Sequence, residues 1–308
     1  QLVAFDHLKN EVILIANVFI DNDSDVRQLY LEAQNRLDCL QARLNRSYEG
    51  ELRFTADLAS EEANFTKKDF MTAVEQAKEY ILAGDIFQAV ISQRFSMAYS
   101  GDVFQVYRAL RNINPSPYMF FLDFLDYQVI GSSPEPLIRA QDNELEIIPI
   151  AGTRQRGATS AEDDRLEAEL LNDPKELAEH VMLVDLARND LGRVATFGTV
   201  KVNDFKTIQK YSHVMHIISQ VRGHLRDGLT VVDAFKSAFP AGTVSGAPKI
   251  RAMEIINELE PEKRGIYSGA IGYFNYGGNL DLCIGIRTIV AGRERLYYQS
   301  GARIVADS

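Results

Sequence analysis

Cysteine is scarce in this chain: 308 residues hold only Cys39 and Cys283. Two thiols cannot supply a disulfide framework, and neither stands in a metal-type Cys-x-x-Cys pair, so a reducing, cytoplasmic setting is expected. Long apolar runs are missing as well. None approaches the roughly 18–20 residues that span a bilayer, and the N-terminus shows no basic region followed by an apolar run, so neither membrane nor signal peptide is expected. Positive charge is in deficit, with 33 Lys and Arg against 43 Asp and Glu. The net charge of −10 argues against a general nucleic-acid surface. An acidic protein that takes an anion must gather local positive potential, here from Lys249, Arg287 and helix N-termini. Repeats and low-complexity tracts are absent too.

What is present is ample apolar content, 46% of the chain, enough for one large core or two ordinary ones. Strand-like runs at 2–5 and 11–20 precede a helical pattern over about 25–44. The stretch 48–64 reads as polar and irregular, and a domain boundary is expected within it. Thr66 reads as the N-cap of a helix ending near Gly84, with Phe70, Ala73, Val74, Ala77, Tyr80 and Ile81 at helical spacing. Further strands at 87–99, 118–132, 136–150, 199–222 and 268–300 alternate with helices near 102–112, 161–171, 174–190, 230–238 and 247–259. Several strands follow one another through short turns, across 275–279 and around Gly292. That pattern indicates antiparallel sheet with helices outside it, an α+β fold rather than a βαβ repeat.

The loop Ala241-Gly242-Thr243-Val244-Ser245-Gly246-Ala247-Pro248-Lys249 opens onto a helix, with Pro248 expected at its first helical position. Its amides suit a carboxylate or small anion, or serve simply to start the helix. Its spacing is not that of a P-loop. Glu176 and Glu179, at i and i+3 after Asp173-Pro174, share a helix face; they suit a hard cation such as Mg²⁺ or form a solvated first turn. Asp185 and Arg188 form a plausible i,i+3 pair. His216, beside Val214 and Ile218 on one strand face, is either a core histidine or a general base. Glu135, after Gly131-Ser132-Ser133-Pro134, is a turn residue or an acid whose pKa burial must raise. Arg287 lies in the apolar run 283–289, read as a buried strand, and needs a partner: a substrate carboxylate or an internal acid. Tyr267-Ser268-Gly269 begins a strand where backbone can approach a ligand closely.

Taken together, and in this order, these motifs resemble the chorismate-utilising enzymes, most closely their anthranilate-forming members. The resemblance covers about 66–308. It rests on Gly84-Asp85-Ile86-Phe87-Gln88, on Asn114-Pro115-Ser116-Pro117-Tyr118-Met119, on Pro149-Ile150-Ala151-Gly152-Thr153-Arg154, and on the segments around Glu135, Glu179, Gly246, Tyr267, Arg287 and Ala302. It implies a large, mainly antiparallel β-sandwich flanked by helices. Residues 1–60 then resemble the end of an N-terminal regulatory domain, and 66–308 the chorismate-binding catalytic domain. The chain is expected to begin partway through its protein and to stop before a C-terminal helix that carries a second metal-ligating glutamate.

The resemblance also assigns roles. Chorismate and Mg²⁺ are the implied ligands, with Glu179 a metal ligand and Glu176 close by. Gly152, Thr153, Thr243, Tyr267, Arg287, Gly301 and Ala302 match substrate-contacting positions. His216 matches the histidine tied to pyruvate loss, and Glu135 a carboxylate suited to protonating the departing hydroxyl. Gln88 replaces the water-activating lysine of isochorismate and salicylate synthases; a neutral amide is no base, so ammonia is the implied nucleophile. Ala151 replaces the nucleophilic lysine of aminodeoxychorismate synthases. Both favour amination of chorismate at C2 and loss of pyruvate to give anthranilate, the entry to tryptophan biosynthesis. No Cys-His arrangement for glutamine hydrolysis is visible, so a glutamine amidotransferase partner is expected. Pro117, Tyr118 and Met119 match an effector pocket for tryptophan. Arg303 departs from the family's Gly-Ala-Gly; it either adds charge or fills substrate space. The alternatives are aminodeoxychorismate synthesis, another chorismate reaction, or an incomplete fragment with a structural role.

Overall fold

The computed structural model describes residues 1–47, 53–211 and 213–308. The chain divides into two compact units, Gln1–Glu51 and Leu52–Ser308. In the first, β1 (Leu2–Asp6) pairs antiparallel with β2 (Glu11–Ile15), and α1 spans Val26–Leu44. Strand β2 stops at Ile15, short of the expected Ile20. Asp25 caps α1 by accepting from the amides of Arg27 and Gln28.

The second unit continues with β3 (Phe54–Ala63), α2 (Lys67–Leu82), β4 (Gln88–Gly101), α3 (Phe104–Ile113), β5 (Tyr118–Asp123) and β6 (Gln128–Ser133). Next come β7 (Pro136–Gln141), β8 (Glu144–Ile147), β9 (Ile150–Gln155), α4 (Ser160–Leu171) and α5 (Pro174–Gly192). The remainder is β10 (Lys201–Lys210), β11 (Val214–His224), α6 (Val231–Ala238), β12 (Gly246–Ala247) and α7 (Lys249–Leu259), then β13 (Ala270–Phe274), β14 (Leu280–Ile284), β15 (Thr288–Ala291) and β16 (Arg295–Ile304). The expected break within 48–64 falls partly on residues outside the described ones. Its described part is not irregular: β3 pairs with β4 from Phe54↔Gly101 to Ala63↔Phe95, across a register shift. Alternate intermediate and exposed residues along β3 mark an edge strand, which is why its polarity reads as loop.

Two seven-stranded sheets form, antiparallel at every pairing. One runs β12-β4-β16-β15-β6-β5 with β3 beside β4; the other runs β10-β11-β8-β7-β14-β13 with β9 beside β11. Helices cover both, as the α+β reading requires. On the first sheet Ala73 and Ala77 of α2 and Ala252, Ile255 and Ile256 of α7 pack against Ala89, Ile91 and Ile304. On the second, Val184, Ala187 and Leu191 of α5 and Ala234 and Ala238 of α6 pack against Leu137, Ile138, Leu145, Val221 and Leu282. Each fully buried Leu or Ile in these clusters contributes about 1.5–3 kcal/mol of transfer free energy.

The sheets exchange strands at one corner. Pro134 and Glu135 alone separate β6, in the first sheet, from β7, in the second. Residues 285–287 likewise carry β14 of the second sheet into β15 of the first. The two crossovers lie side by side, bonded through Ser132 N to Arg287 O at 3.1 Å and Ile284 N to Glu135 O at 3.0 Å. The Ser133 hydroxyl adds a 2.7 Å bond to Ile284 O. Glu135 and Arg287 are therefore set at the seam by backbone pairing, not by the reach of their own side chains. Among the described residues, no helix is long and apolar enough to cross a membrane.

Candidate active site

A cavity of about 660 Å³ opens at that seam. It is lined by Glu135 and Arg287 from the crossovers, Ala151, Gly152 and Thr153 from β9, Glu176 and Glu179 from α5, His216 from β11 and Arg303 from β16, with Pro117, Tyr211 and His213 among its other walls.

The acidic wall follows from how α5 begins. Asp173 caps the helix, accepting from Lys175 N at 3.0 Å and Glu176 N at 3.2 Å, and Pro174 fits the first turn because it has no N–H to lose. Those amide bonds, ahead of the Arg154 guanidinium at 2.9 Å, hold the Asp173 carboxyl below its ordinary pKa. Arg154 also bonds Glu169 at 3.1 Å and approaches Glu176 within 3.6 Å. The core face of α5 is His180, Leu183, Val184, Ala187 and Leu191, which leaves Glu176 and Glu179 turned to the cavity. Asp185 and Arg188 pair at 2.8 Å on the solvent side, as expected.

Gly152 makes room for this wall. Its φ of +65° is left-handed, and an added Cβ would meet Leu170 Cδ1 at 2.9 Å and Glu176 Oε2 at 3.2 Å. The β9–β11 register slips between His216 and Ile217, a bulge that re-aims side chains beside a site. His216 Nδ1 lies 3.0 Å from Gly152 O and 3.0 Å from Thr153 Oγ1. A carbonyl oxygen only accepts, so Nδ1 carries the proton and Nε2 keeps its lone pair. His216 thus lines a cavity with an available base nitrogen instead of sitting satisfied in the core. Tyr211 meets its ring edge-on at 5.7 Å.

Burial pushes the Glu135 carboxyl up to about 7, and the Thr243 hydroxyl beside it only partly opposes this. Among the described residues Thr243 Oγ1 itself has no well-aligned hydrogen bond. Arg287 corrects the expectation of a buried strand residue: it stands between β14 and β15, exposed, at φ +48°. A β-free, left-handed conformation at a non-glycine residue costs of order 1 kcal/mol and clusters at functional sites. Its guanidinium makes no ion pair among the described residues.

The 241–249 loop is also corrected. Pro248 is the N-cap, not the first helical residue, and Gly246–Ala247 is a short strand on β4. Loop amides bond within the loop, Val244 N to Ala241 O at 3.3 Å and Ser245 N to Gly242 O at 3.4 Å. Lys249 Nζ is 2.9 Å from Asp190 and 3.1 Å from Ala238 O, so its charge is spent inside the protein. Burial outweighs that ion pair and lifts Asp190 to about 6.

Several expected residues do not line the cavity. Gln88 is buried at the start of β4, its Oε1 without a hydrogen bond among the described residues. Thr243 backs Glu135. Gly301 and Ala302 pair with Ser92 and Ile91, and a Cβ on Gly301 would fall 2.6 Å from the Tyr267 hydroxyl. Tyr267 lies under the Arg264 guanidinium at 5.5 Å. Of the three effector positions only Pro117 lines the cavity; Tyr118 OH bonds Asp281 at 2.8 Å, and Met119 lies on β5 opposite Ser132. Sequence reasoning passed over Arg154, Tyr211 and His213. Arg154 was signalled only as the last residue of the 149–154 motif, and Tyr211 and His213 only by their nearness in sequence to His216.

A family model described as "chorismate binding enzyme" matches residues 1–308. The chain belongs to that family. Among curated members, anthranilate synthase component 1 of Acetivibrio thermocellus is 49% identical over 316 residues, covering 100% of this chain and 63% of the relative. The component 1 of Aquifex aeolicus is 49% identical over 310 residues, covering 100% and 62%. The crystal structure of anthranilate synthase component I from Streptococcus pneumoniae TIGR4 superposes with a TM-score of 0.88 at 41% identity, covering 99% of this chain and 67% of that one. The chain thus spans under two thirds of the length of these curated relatives, and the likeness to the solved structure agrees with the sheets.

Proposed function

We propose that this chain is the chorismate-binding part of an anthranilate synthase, which aminates chorismate at C2 and eliminates pyruvate. The reading is carried by one observation: a carboxyl poised near 7, an imidazole with a lone pair and an unpaired arginine line one cavity. The names of the relatives at 49% identity support the same reaction. Arg287 anchors a carboxylate of the substrate. Ammonia forms the bond at C2, both ring double bonds shift, the C4 hydroxyl leaves as water with a proton from Glu135, and the new ammonium group gives up a proton to solvent. His216 Nε2 then removes the C2 proton, the C3–O bond breaks, and the enolpyruvate fragment departs to become pyruvate as the ring aromatises. Neutral Gln88 and Ala151 offer neither a water-activating base nor a nucleophilic amine.

Three further parts belong to this proposal. Ammonia comes from a glutamine amidotransferase partner, since Cys39 is exposed and Cys283 buried with its thiol pushed up to about 11. Tryptophan acts on the effector segment 117–119, whose last two residues begin β5, the neighbour of β6. Enzymes of this type are generally Mg²⁺-dependent. Two carboxylates are the right donor type, and Glu179 Oε2 is buried and unpaired. Yet Arg303 is paired to Glu179 Oε1. With that guanidinium in place Glu179 is not open to a cation, and no step above uses one.

The test is incubation with chorismate and ammonium at alkaline pH, following anthranilate fluorescence and pyruvate together. Equal amounts of both support the reading. An aminated product without pyruvate, or isochorismate, reassigns the reaction, and absence of any product contradicts it.

A further inference from the structure

We propose that Arg303 takes the place of a divalent cation at the Glu176/Glu179 pair, so that the acidic wall is neutralised by the protein's own side chain. The inference rests on the cavity's role as an anion-binding site.

The placement comes from the sheet. Arg303 stands on β16 opposite Val90 of β4, and its side chain enters the cavity to close an ion pair with Glu179 Oε1. Glu176 is the carboxylate whose charge supports the Arg303 cation, while burial works against it. The other Glu179 oxygen is buried without a partner among the described residues, so the carboxylate is engaged on one side only.

Charge explains the consequence. Without Arg303 the wall would hold two carboxylates facing one partner, Arg154, which is already shared among Glu169, Asp173 and Glu176. An anionic ligand could then approach only with a bound cation between it and the glutamates. With Arg303 in place, Glu179 is offset and Arg287 remains as free positive charge. A guanidinium carries five donors in a planar fork, so one edge can serve Glu179 while another meets a ligand carboxylate. A glycine at 303 would remove that fork and expose both Glu179 oxygens to a metal.

The experiment is Mn²⁺ titration followed by the electron paramagnetic resonance of the free ion, with Mn²⁺ as the probe for hard divalent cations. The wild type is compared with Arg303→Gly, Arg303→Ala and Arg303→Gly/Glu179→Gln, each checked for folding by circular dichroism. Both single variants should bind Mn²⁺ about tenfold or more tightly than the wild type, and the double variant should lose the gain. Wild-type binding as tight as in Arg303→Gly overturns the proposal, as does a folded Arg303→Ala that gains nothing. Should either single variant fail to fold, wild-type Mn²⁺ binding that Glu179→Gln abolishes is itself decisive against it. Chorismate binding to the wild type is measured separately in EDTA and with Mg²⁺: absence in both sinks the functional reading and leaves the Mn²⁺ result standing, whereas binding that requires Mg²⁺ overturns the proposal.

Discussion

His216 Nδ1 and the Gly152 carbonyl oxygen lie 3.0 Å apart, a contact that fixes the imidazole tautomer. The proton must sit on Nδ1, and Nε2 is left to accept one. Replacing His216 with Asn keeps a donor near Gly152 but removes the base. The expected result is a fall in kcat of about 10²–10⁴-fold with a much smaller change in KM, read from anthranilate formation. A variant within a factor of about two of the wild type would show that the imidazole moves no proton.

Glu135 makes stability depend on pH. Its folded pKa of about 7 lies above the ordinary 4.5, so the folded state holds this proton more tightly than the unfolded chain. Stability from this residue is complete below 4.5, falls between 4.5 and about 7, and then levels off. Glu135→Gln has no such proton to lose. Its urea midpoint, compared with the wild type, should shift in the variant's favour between pH 4 and pH 8, by up to about 3 kcal/mol. An identical difference at both pH values would place the titration elsewhere.

Gly152 serves the site through its conformation. Gly152→Ala forces a Cβ toward Leu170 at 2.9 Å and Glu176 at 3.2 Å at a φ of +65°. We expect a loss of about 1–3 kcal/mol in thermal or urea unfolding, together with a raised KM as Glu176 and the His216 acceptor shift. Unchanged stability would mean that β9 relaxes without strain.

What the sequence made legible was local. The α2 start was readable because Thr66 is a cap with an obvious mechanism, and it accepts the amide bond of Asp69 expected of it; the α5 start was marked by Asp173-Pro174. Hairpins at 275–279 and Gly292 announced themselves by turn residues. The seam was not readable. β6 and β7 look like consecutive strands of one sheet, and nothing in their alternation says that Glu135 marks a change of sheet. For the same reason Arg287 looked like a residue inside an apolar strand, when 285–287 is the crossover. Lys249 was misjudged because its partner, Asp190, is 59 residues away on another helix. Arg303 was visible as a departure from the family pattern, but its contact with Glu179 is a product of strand register.

The central claim is that Arg287, held left-handed and unpaired at the sheet crossover, is the anion anchor of the cavity. Calorimetric titration of chorismate into the wild type and into Arg287→Gln tests it most directly. Losing a charge-assisted contact worth about 1.5–3 kcal/mol should weaken binding by about 10- to 100-fold, without lowering the unfolding temperature. Equal affinity in the two proteins would contradict the account.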